Sequence, residues 1–163
     1  DTACMVDIAR YFLQFTQDQS CGKCTFCRIG TRRMLETLTR ITQGEGTPED
    51  LAKLTTLGKQ IKESSLCGLG QTAPNPVLTT IRYYKNEYDE HIVGKHCPAA
   101  SCSALVDFVI DPEKCTGCTL CAKKCSVQAI KGERKQPHTI DKSICVKCGQ
   151  CIATCKFEAI YKT

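Results

Sequence analysis

Cys115-Thr116-Gly117-Cys118-Thr119-Leu120-Cys121-Ala122-Lys123-Lys124-Cys125 is repeated in outline thirty residues later as Cys145-Val146-Lys147-Cys148-Gly149-Gln150-Cys151-Ile152-Ala153-Thr154-Cys155. Both runs are spaced C-x2-C-x2-C-x3-C. The register reaches past the cysteines: Ile110-Asp111 aligns with Ile140-Asp141, and Gln128-Ala129-Ile130 with Glu158-Ala159-Ile160. One unit of thirty residues has been written twice, the mark of an internal duplication.

The spacing has a chemical reason. A cubane iron–sulfur cluster needs four thiolates around one small volume, and two-residue gaps let a tight loop aim three inward. The doubled run resembles two-cluster ferredoxins, in which the fourth cysteine of each run ligates the other cluster. That resemblance assigns Cys115, Cys118, Cys121 and Cys155 to one 4Fe–4S cluster, and Cys145, Cys148, Cys151 and Cys125 to a second. A zinc ribbon or a disulfide scaffold is the rival, but zinc takes four ligands, usually in separated pairs. The proline that commonly follows the fourth cysteine is replaced by Ser126 and Lys156. Proline ligates nothing, so its absence bears on loop rigidity and not on ligation.

Working outward, residues 3–17 carry Met5, Ile8, Phe12 and Phe15 at helical spacing, with Ala9 and Leu13 beside them and Asp1 or Thr2 as cap. A third C-x2-C-x2-C loop follows at Cys21, Cys24 and Cys27. Leu35, Leu38 and Ile41 mark a second helix, stopped by Gly44-Glu45-Gly46. Thr47 as N-cap, Pro48 and Asp50 open a third, striped by Leu51, Leu54, Leu57 and Ile61. Asn75-Pro76 opens a fourth, with Val77, Leu78, Ile81, Tyr84 and Tyr88 on one face. Amphipathic helices with short connections predict a small four-helix bundle. The fold class is α+β: a helical domain over 1–90, a linker over 91–106, and a βαββαβ-like two-cluster ferredoxin domain over 107–163.

Cys67, flanked by glycines at the end of the third helix, is the expected fourth ligand to Cys21, Cys24 and Cys27 in a third 4Fe–4S cluster. Taken alone, three cysteines at this spacing also fit a radical-SAM loop or a partial zinc site. Twelve of the fifteen cysteines are then used, leaving Cys4, Cys97 and Cys102. With His91 six residues before Cys97, they suggest a structural zinc site, Cys4 completing the four ligands. His96, adjacent to Cys97, would have to turn back sharply to share a metal. The alternative is a pair of free buried thiols and a solvent-facing histidine. His138 is placed on a surface hairpin between the ferredoxin halves, with no role.

The formal charge is +5, but each oxidised cluster with its thiolates adds roughly −2. Three clusters make the loaded chain mildly acidic, so nucleic acid is not an expected partner. No eighteen-residue apolar run exists, so no membrane span is expected. Cysteines at metal-ligand spacing, not in a secreted disulfide pattern, point to a reducing cytoplasm. The start at Asp1, directly before a helix, reads as a piece of a longer polypeptide.

The stretches Asp18-Gln19-Ser20-Cys21-Gly22-Lys23-Cys24-Thr25-Phe26-Cys27-Arg28-Ile29-Gly30 and Ser65-Leu66-Cys67-Gly68-Leu69-Gly70-Gln71-Thr72-Ala73-Pro74-Asn75-Pro76-Val77 resemble a family of NADH-oxidising, flavin-bearing subunits. The family occurs in respiratory complex I, NAD-linked formate dehydrogenases, and soluble NAD-dependent or electron-bifurcating iron-only hydrogenases. Phe26 stands where the family has proline. The appended ferredoxin is most similar to the hydrogenase beta subunit. The resemblance implies an electron relay belonging to a multisubunit NAD(H)-dependent oxidoreductase, with FMN and NAD(H) bound in a part of the polypeptide outside this sequence. The implied partners are other hydrogenase subunits and a soluble ferredoxin. No nucleophile–base constellation and no phosphate loop is present, so no catalytic residue is assigned. A zinc- or cluster-bearing structural or redox-sensing module is the alternative from another class.

Overall fold

The computed structural model describes residues 3–163, so Asp1 and Thr2, the expected caps of the first helix, lie outside the described residues. Contacts divide the chain into two compact units, one ending at Leu105 and the other comprising Val106–Thr163.

The first unit is helical. Helix α1 (Met5–Asp18) is capped by the Cys4 side chain, whose sulfur accepts from the Asp7 amide. Its buried stripe is Val6, Ala9 and Leu13, not the expected face through Phe12 and Phe15, which are exposed. Both stripes have helical period, but only one joins the core where α1 meets α2 (Thr31–Thr42) and α5 (Asn75–Tyr83). Helix α3 (Glu49–Ser64) packs on α2 and α5 and buries Leu54 and Ile61. Each fully buried aliphatic side chain contributes about 1.5–3 kcal/mol. The shared core also contains Met34, Leu38, Val77 and Tyr88.

Two departures from a plain run of helices position functional groups. The fourth helix is broken at Tyr84 (φ −127°, ψ 36°) into α5 and α6 (Lys85–Asp89), after a short α4 (Gly68–Thr72). The break resets the helical phase, so Tyr88 and His91 are buried while Tyr84 stays exposed. The Tyr88 hydroxyl bonds Thr80 at 2.8 Å. Single π-helical turns occur at Phe26–Gly30 and Glu90–Gly94. Such turns are rare and frequent at functional sites, and these two hold Cys27 and His91. Residues 91–105, expected to link two domains, fold into the first unit, whose core includes Ile92, Cys97, Cys102 and Leu105.

The start of α3 is secured by Asp50, which is fully buried. Its carboxylate accepts from the Thr47 amide at 2.9 Å and from Arg40 at 2.7 Å. This is half of the expected capping box, with the acidic residue reaching back. Asp50→Ala is expected to lower stability by about 1–3 kcal/mol, because it strands a donor on each side. Arg40→Ala should also lower stability, since it leaves the fully buried Asp50 carboxylate without its partner at 2.7 Å. An unchanged denaturation midpoint for either variant would contradict this.

The second unit runs β1 (Phe108–Ile110), α7 (Leu120–Lys124), β2 (Ile130–Lys131), β3 (Thr139–Ile140), α8 (Gln150–Thr154), β4 (Ile160–Lys162). Its sheets are two-stranded and antiparallel: β1 pairs β4 with Ile110 opposite Ile160, and β2 pairs β3 with Ile130 opposite Ile140. Each sheet therefore takes one strand from each half of the duplication. The register shared by the Ile-Asp pairs has a local cause. Asp111 and Asp141 each accept, through a carboxylate oxygen, the amide two residues on, at 3.0 and 3.1 Å. Each also accepts, on its carbonyl, the amide of the first cysteine of its loop. These Asx turns start both cysteine loops.

Candidate metal centres

Inside the loops the backbone repeats as well. Gly117 and Lys147, Thr119 and Gly149, and Gln128 and Glu158 all have positive φ, each pair thirty residues apart. A non-glycine residue in this region costs roughly 1–2 kcal/mol, and a β-branched threonine is a true outlier. Left-handed turns gather amide N–H groups toward one concavity, which suits an anionic ligand.

Two cavities lie within the second unit. The first is lined by Cys115, Cys118 and Cys121 from one half and by Cys155 from the other. The second is lined by Cys145, Cys148 and Cys151 together with Cys125. The fourth cysteine of each run thus lies in the cavity of the opposite run. Ile110 and Ile160 also wall the first, and Ile140 and Ile130 the second, so the paired strands close both. The cysteines are unpaired thiols. An all-sulfur donor set of four in an apolar pocket fits a cubane cluster. Burial pushes the Cys121 and Cys151 thiols up, the cost that a bound cationic iron centre offsets by taking them as thiolates.

In the first unit, α4 approaches the Cys21–Cys27 loop through glycine. A Cβ on Gly70 would come within 3.3 Å of Cys27 Cβ and within 2.6 Å of Ser65 Cβ, so α4 can approach this closely only because residue 70 is glycine. Cys67 is exposed at the head of α4, where the Gly70 and Leu69 amides donate to its sulfur and hold the thiol below its ordinary value. Cys27 is buried, with Ser20 Oγ 3.4 Å from its sulfur, while Cys21 is exposed.

The remaining cysteines converge. Ligand atoms of Cys4, His91, Cys97 and Cys102 all lie within 4.8 Å of one another, and all four residues are buried. Cys4 Sγ is 3.8 Å from Cys102 Sγ, and His91 Nε2 is 3.3 Å from Cys4 Sγ and 3.4 Å from Cys102 Sγ. Two sulfurs at a Zn–S length of about 2.3 Å from a tetrahedral centre stand about 3.8 Å apart. A disulfide would bring them to about 2.05 Å.

His91 Nδ1 lies 2.7 Å from the Glu87 carbonyl oxygen. A carbonyl only accepts, so Nδ1 carries a proton and Nε2 faces the sulfurs, the orientation a metal-bound histidine needs. The Glu87 carboxylate accepts from the Met5 amide at 2.9 Å, so one residue anchors both the helix start beside Cys4 and the His91 ring. A hydrogen bond with the Cys102 thiol, then His91, brings Cys4 down to about 4 against the effect of burial. The Cys4 thiolate in turn pushes Cys102 up. Three sulfurs and one imidazole nitrogen converging in a buried site are a donor set that can hold a cation. His96 is exposed, beyond Lys95 in a left-handed conformation.

His138 overturns its expected place on the surface. It is 2% exposed and lines the first cavity of the second unit. The readable signal was the duplication itself: thirty residues earlier stands Phe108, an apolar residue at the start of a strand.

Comparison with known proteins identifies the family. Residues 7–91, just over half the chain, match the NADH-ubiquinone oxidoreductase-F iron-sulfur binding region. The chain belongs to that family. After this F iron-sulfur binding region, residues 108–131 and 138–161 each match the 4Fe-4S binding domain. The chain is 55% identical over 159 residues to the NADP-reducing hydrogenase subunit HndC of Solidesulfovibrio fructosivorans, a match covering 98% of this chain and 32% of that protein. It is 39% identical over 98 residues to the F component of the NADH-quinone oxidoreductase of Streptomyces coelicolor, covering 60% of this chain and 22% of that one. Among solved structures, an NAD+-reducing [NiFe]-hydrogenase in the H2-reduced state superposes with a TM-score of 0.53 at 32% identity, over 55% of this chain and 16% of that chain. The family member therefore spans about a third or less of these relatives, which are subunits of oxidoreductases. No helix among the described residues is long and apolar enough to cross a membrane.

Proposed function

We propose that this chain is an electron relay with three 4Fe–4S clusters, held by Cys21, Cys24, Cys27 and Cys67, by Cys115, Cys118, Cys121 and Cys155, and by Cys145, Cys148, Cys151 and Cys125. A zinc ion held by Cys4, His91, Cys97 and Cys102 serves structure. The relay belongs to a nicotinamide-linked hydrogenase, passing electrons between a flavin and NAD(H) site elsewhere in the polypeptide and a partner subunit or a soluble ferredoxin. The observation that carries the reading is the exchange of fourth cysteines between the two cavities of the second unit.

Bound clusters supply one-electron carriers at low potential. The chain's own residues do the rest. Cys125 accepts the Ala129 amide at 3.3 Å, the kind of N–H donation to sulfur that stabilises a reduced cluster. Apolar side chains at Ile110, Ile160, Ile130 and Ile140 wall one side of these sites. The zinc ligands tie the start of α1 to the segment 91–105.

A hydrogenase is favoured over an NAD-linked formate dehydrogenase because the hydrogenase relative matches along 98% of the chain, ferredoxin unit included. An electron-bifurcating enzyme is the finer form of this reading. Its support is the added two-cluster unit, which offers one-electron carriers a second exit. The matched NADH-quinone oxidoreductase region covers only 60% of the chain.

Metal and acid-labile sulfide analysis of the anaerobically prepared chain is expected to give about twelve irons, about twelve sulfides and about one zinc. Zinc in place of iron at the cysteine cavities, with no visible absorption and no reversible one-electron reduction, would favour a structural module instead.

A further inference from the structure

His138 breaks the symmetry of the duplicated unit. Its counterpart Phe108, opposite Lys162 in the β1–β4 pairing, reaches within 3.9 Å of where a Cβ on Gly149 would sit, at the edge of the second cavity. His138 stands in the equivalent place beside the first cavity, against Gly132.

Its surroundings fix the ring. A Cβ on Gly132 would come within 2.7 Å of the ring Cγ and 2.9 Å of Cδ2, so that edge is pressed against backbone. Nδ1 is 3.1 Å from the Gln136 carbonyl oxygen, which only accepts, so Nδ1 donates there. Gln136 is itself packed on the first cysteine loop, where a Cβ on Gly117 would come within 2.5 Å of its nitrogen. Nε2 is what remains. It is the buried side-chain nitrogen or oxygen without a hydrogen-bond partner among the described residues.

We propose that His138 donates Nε2–H to a sulfur of the cluster held by Cys115, Cys118, Cys121 and Cys155, making that cluster easier to reduce than its twin. The proposal rests on the cluster assignment above. The cavity offers sulfur acceptors and apolar carbon, so a buried Nε2 is satisfied there only as a donor. Reduction adds negative charge to the cluster, and a hydrogen bond to sulfur strengthens with that charge. Phe108 gives the second cluster no donor. The electron therefore settles first on the cluster beside His138, and the duplicated unit becomes a directed pair.

The test uses the intact chain, prepared anaerobically with histidine labelled with nitrogen-15 in the imidazole ring. In the reduced wild type, pulsed electron paramagnetic resonance is expected to show weak nitrogen-15 coupling on one ferredoxin cluster, absent in His138→Phe. At constant pH, His138→Phe should shift the ratio of the two one-electron-reduced forms at least tenfold toward the second cluster, equivalent to about 59 mV. His138→Gln, which keeps an N–H, should recover part of the shift. If His138→Phe fails to assemble, the labelled wild type alone decides. Ring coupling absent while both ferredoxin clusters are present overturns the proposal, as does a shift under twofold. Coupling of the strength of a directly bound nitrogen also overturns it, making His138 a ligand. Missing ferredoxin clusters in the wild type would instead overturn the assignment on which this rests.

Discussion

In a chain carrying Cys155→Ala, about four irons are expected to be lost, and they should be the same four lost on Cys118→Ala. The reason is spatial. Cys155 is thirty-seven residues from Cys118 and only four from Cys151, yet it lines the cavity of Cys115, Cys118 and Cys121. Pairing variants separates the two possibilities. Cys118→Ala with Cys155→Ala should lose no more iron than either alone, because both strip one site. Cys148→Ala with Cys155→Ala should lose about eight, because they strip two. Uncrossed ligation predicts the reverse, so the iron counts of the two double variants decide between them. Neighbouring changes on one site are non-additive, and changes on separate sites add. Stability should fall with the iron, since a cluster that pins both halves supplies folding energy that the small apolar core of the unit lacks. Both sheets pair strands from opposite halves, so loss of one cluster should also loosen the other.

Covalent periodicity made the ferredoxin half legible. A doubled spacing with matching Ile-Asp and Ala-Ile flanks can be read without knowing any contact, and the structure supplies the Asx turns and strand pairs behind it. Helix existence was legible for the same reason. Helix phase was not: in α1 two apolar stripes compete, and only packing against α2 and α5 selects Val6, Ala9 and Leu13. The break at Tyr84 escaped because neither glycine nor proline marks it; tertiary demand on Tyr88 and His91 overrides a continuous propensity. The short α4 and the two π turns are equally silent in sequence, being set by how Cys67, Cys27 and His91 must be aimed. Cys4 was reachable only by subtraction, since eighty-seven residues separate it from His91. His138 was missed because a polar residue in a Gln-Pro-His turn looks solvated. Its burial follows from Gly117 and Gly132, two positions where a missing side chain, not a present one, makes the room.

His91→Ala and Cys97→Ser are each expected to release about one zinc per chain without changing the iron content. Their effect on stability should be among the largest of any single substitution in the first unit. Structural zinc contributes about 10 kcal/mol or more of apparent binding energy in small domains. Here the four proposed ligands come from the start of α1, the π turn after α6 and the loop before Leu105. Without the ion, buried sulfurs at 3.8 Å face one another with their charge uncompensated. They must take up protons or separate, and separation frees Cys97 and Cys102 from the core they share with Ile92 and Leu105. Hydrogen exchange should therefore rise first across residues 91–105 and at the first turn of α1, while the α2–α3 pair stays protected. Cobalt substitution gives an independent readout: three thiolates and one imidazole in a tetrahedron should produce visible cobalt bands and thiolate charge-transfer absorption, both lost in His91→Ala. Unchanged zinc content in both variants, or exchange rising uniformly through the first unit, would show that the four residues are brought together by packing alone.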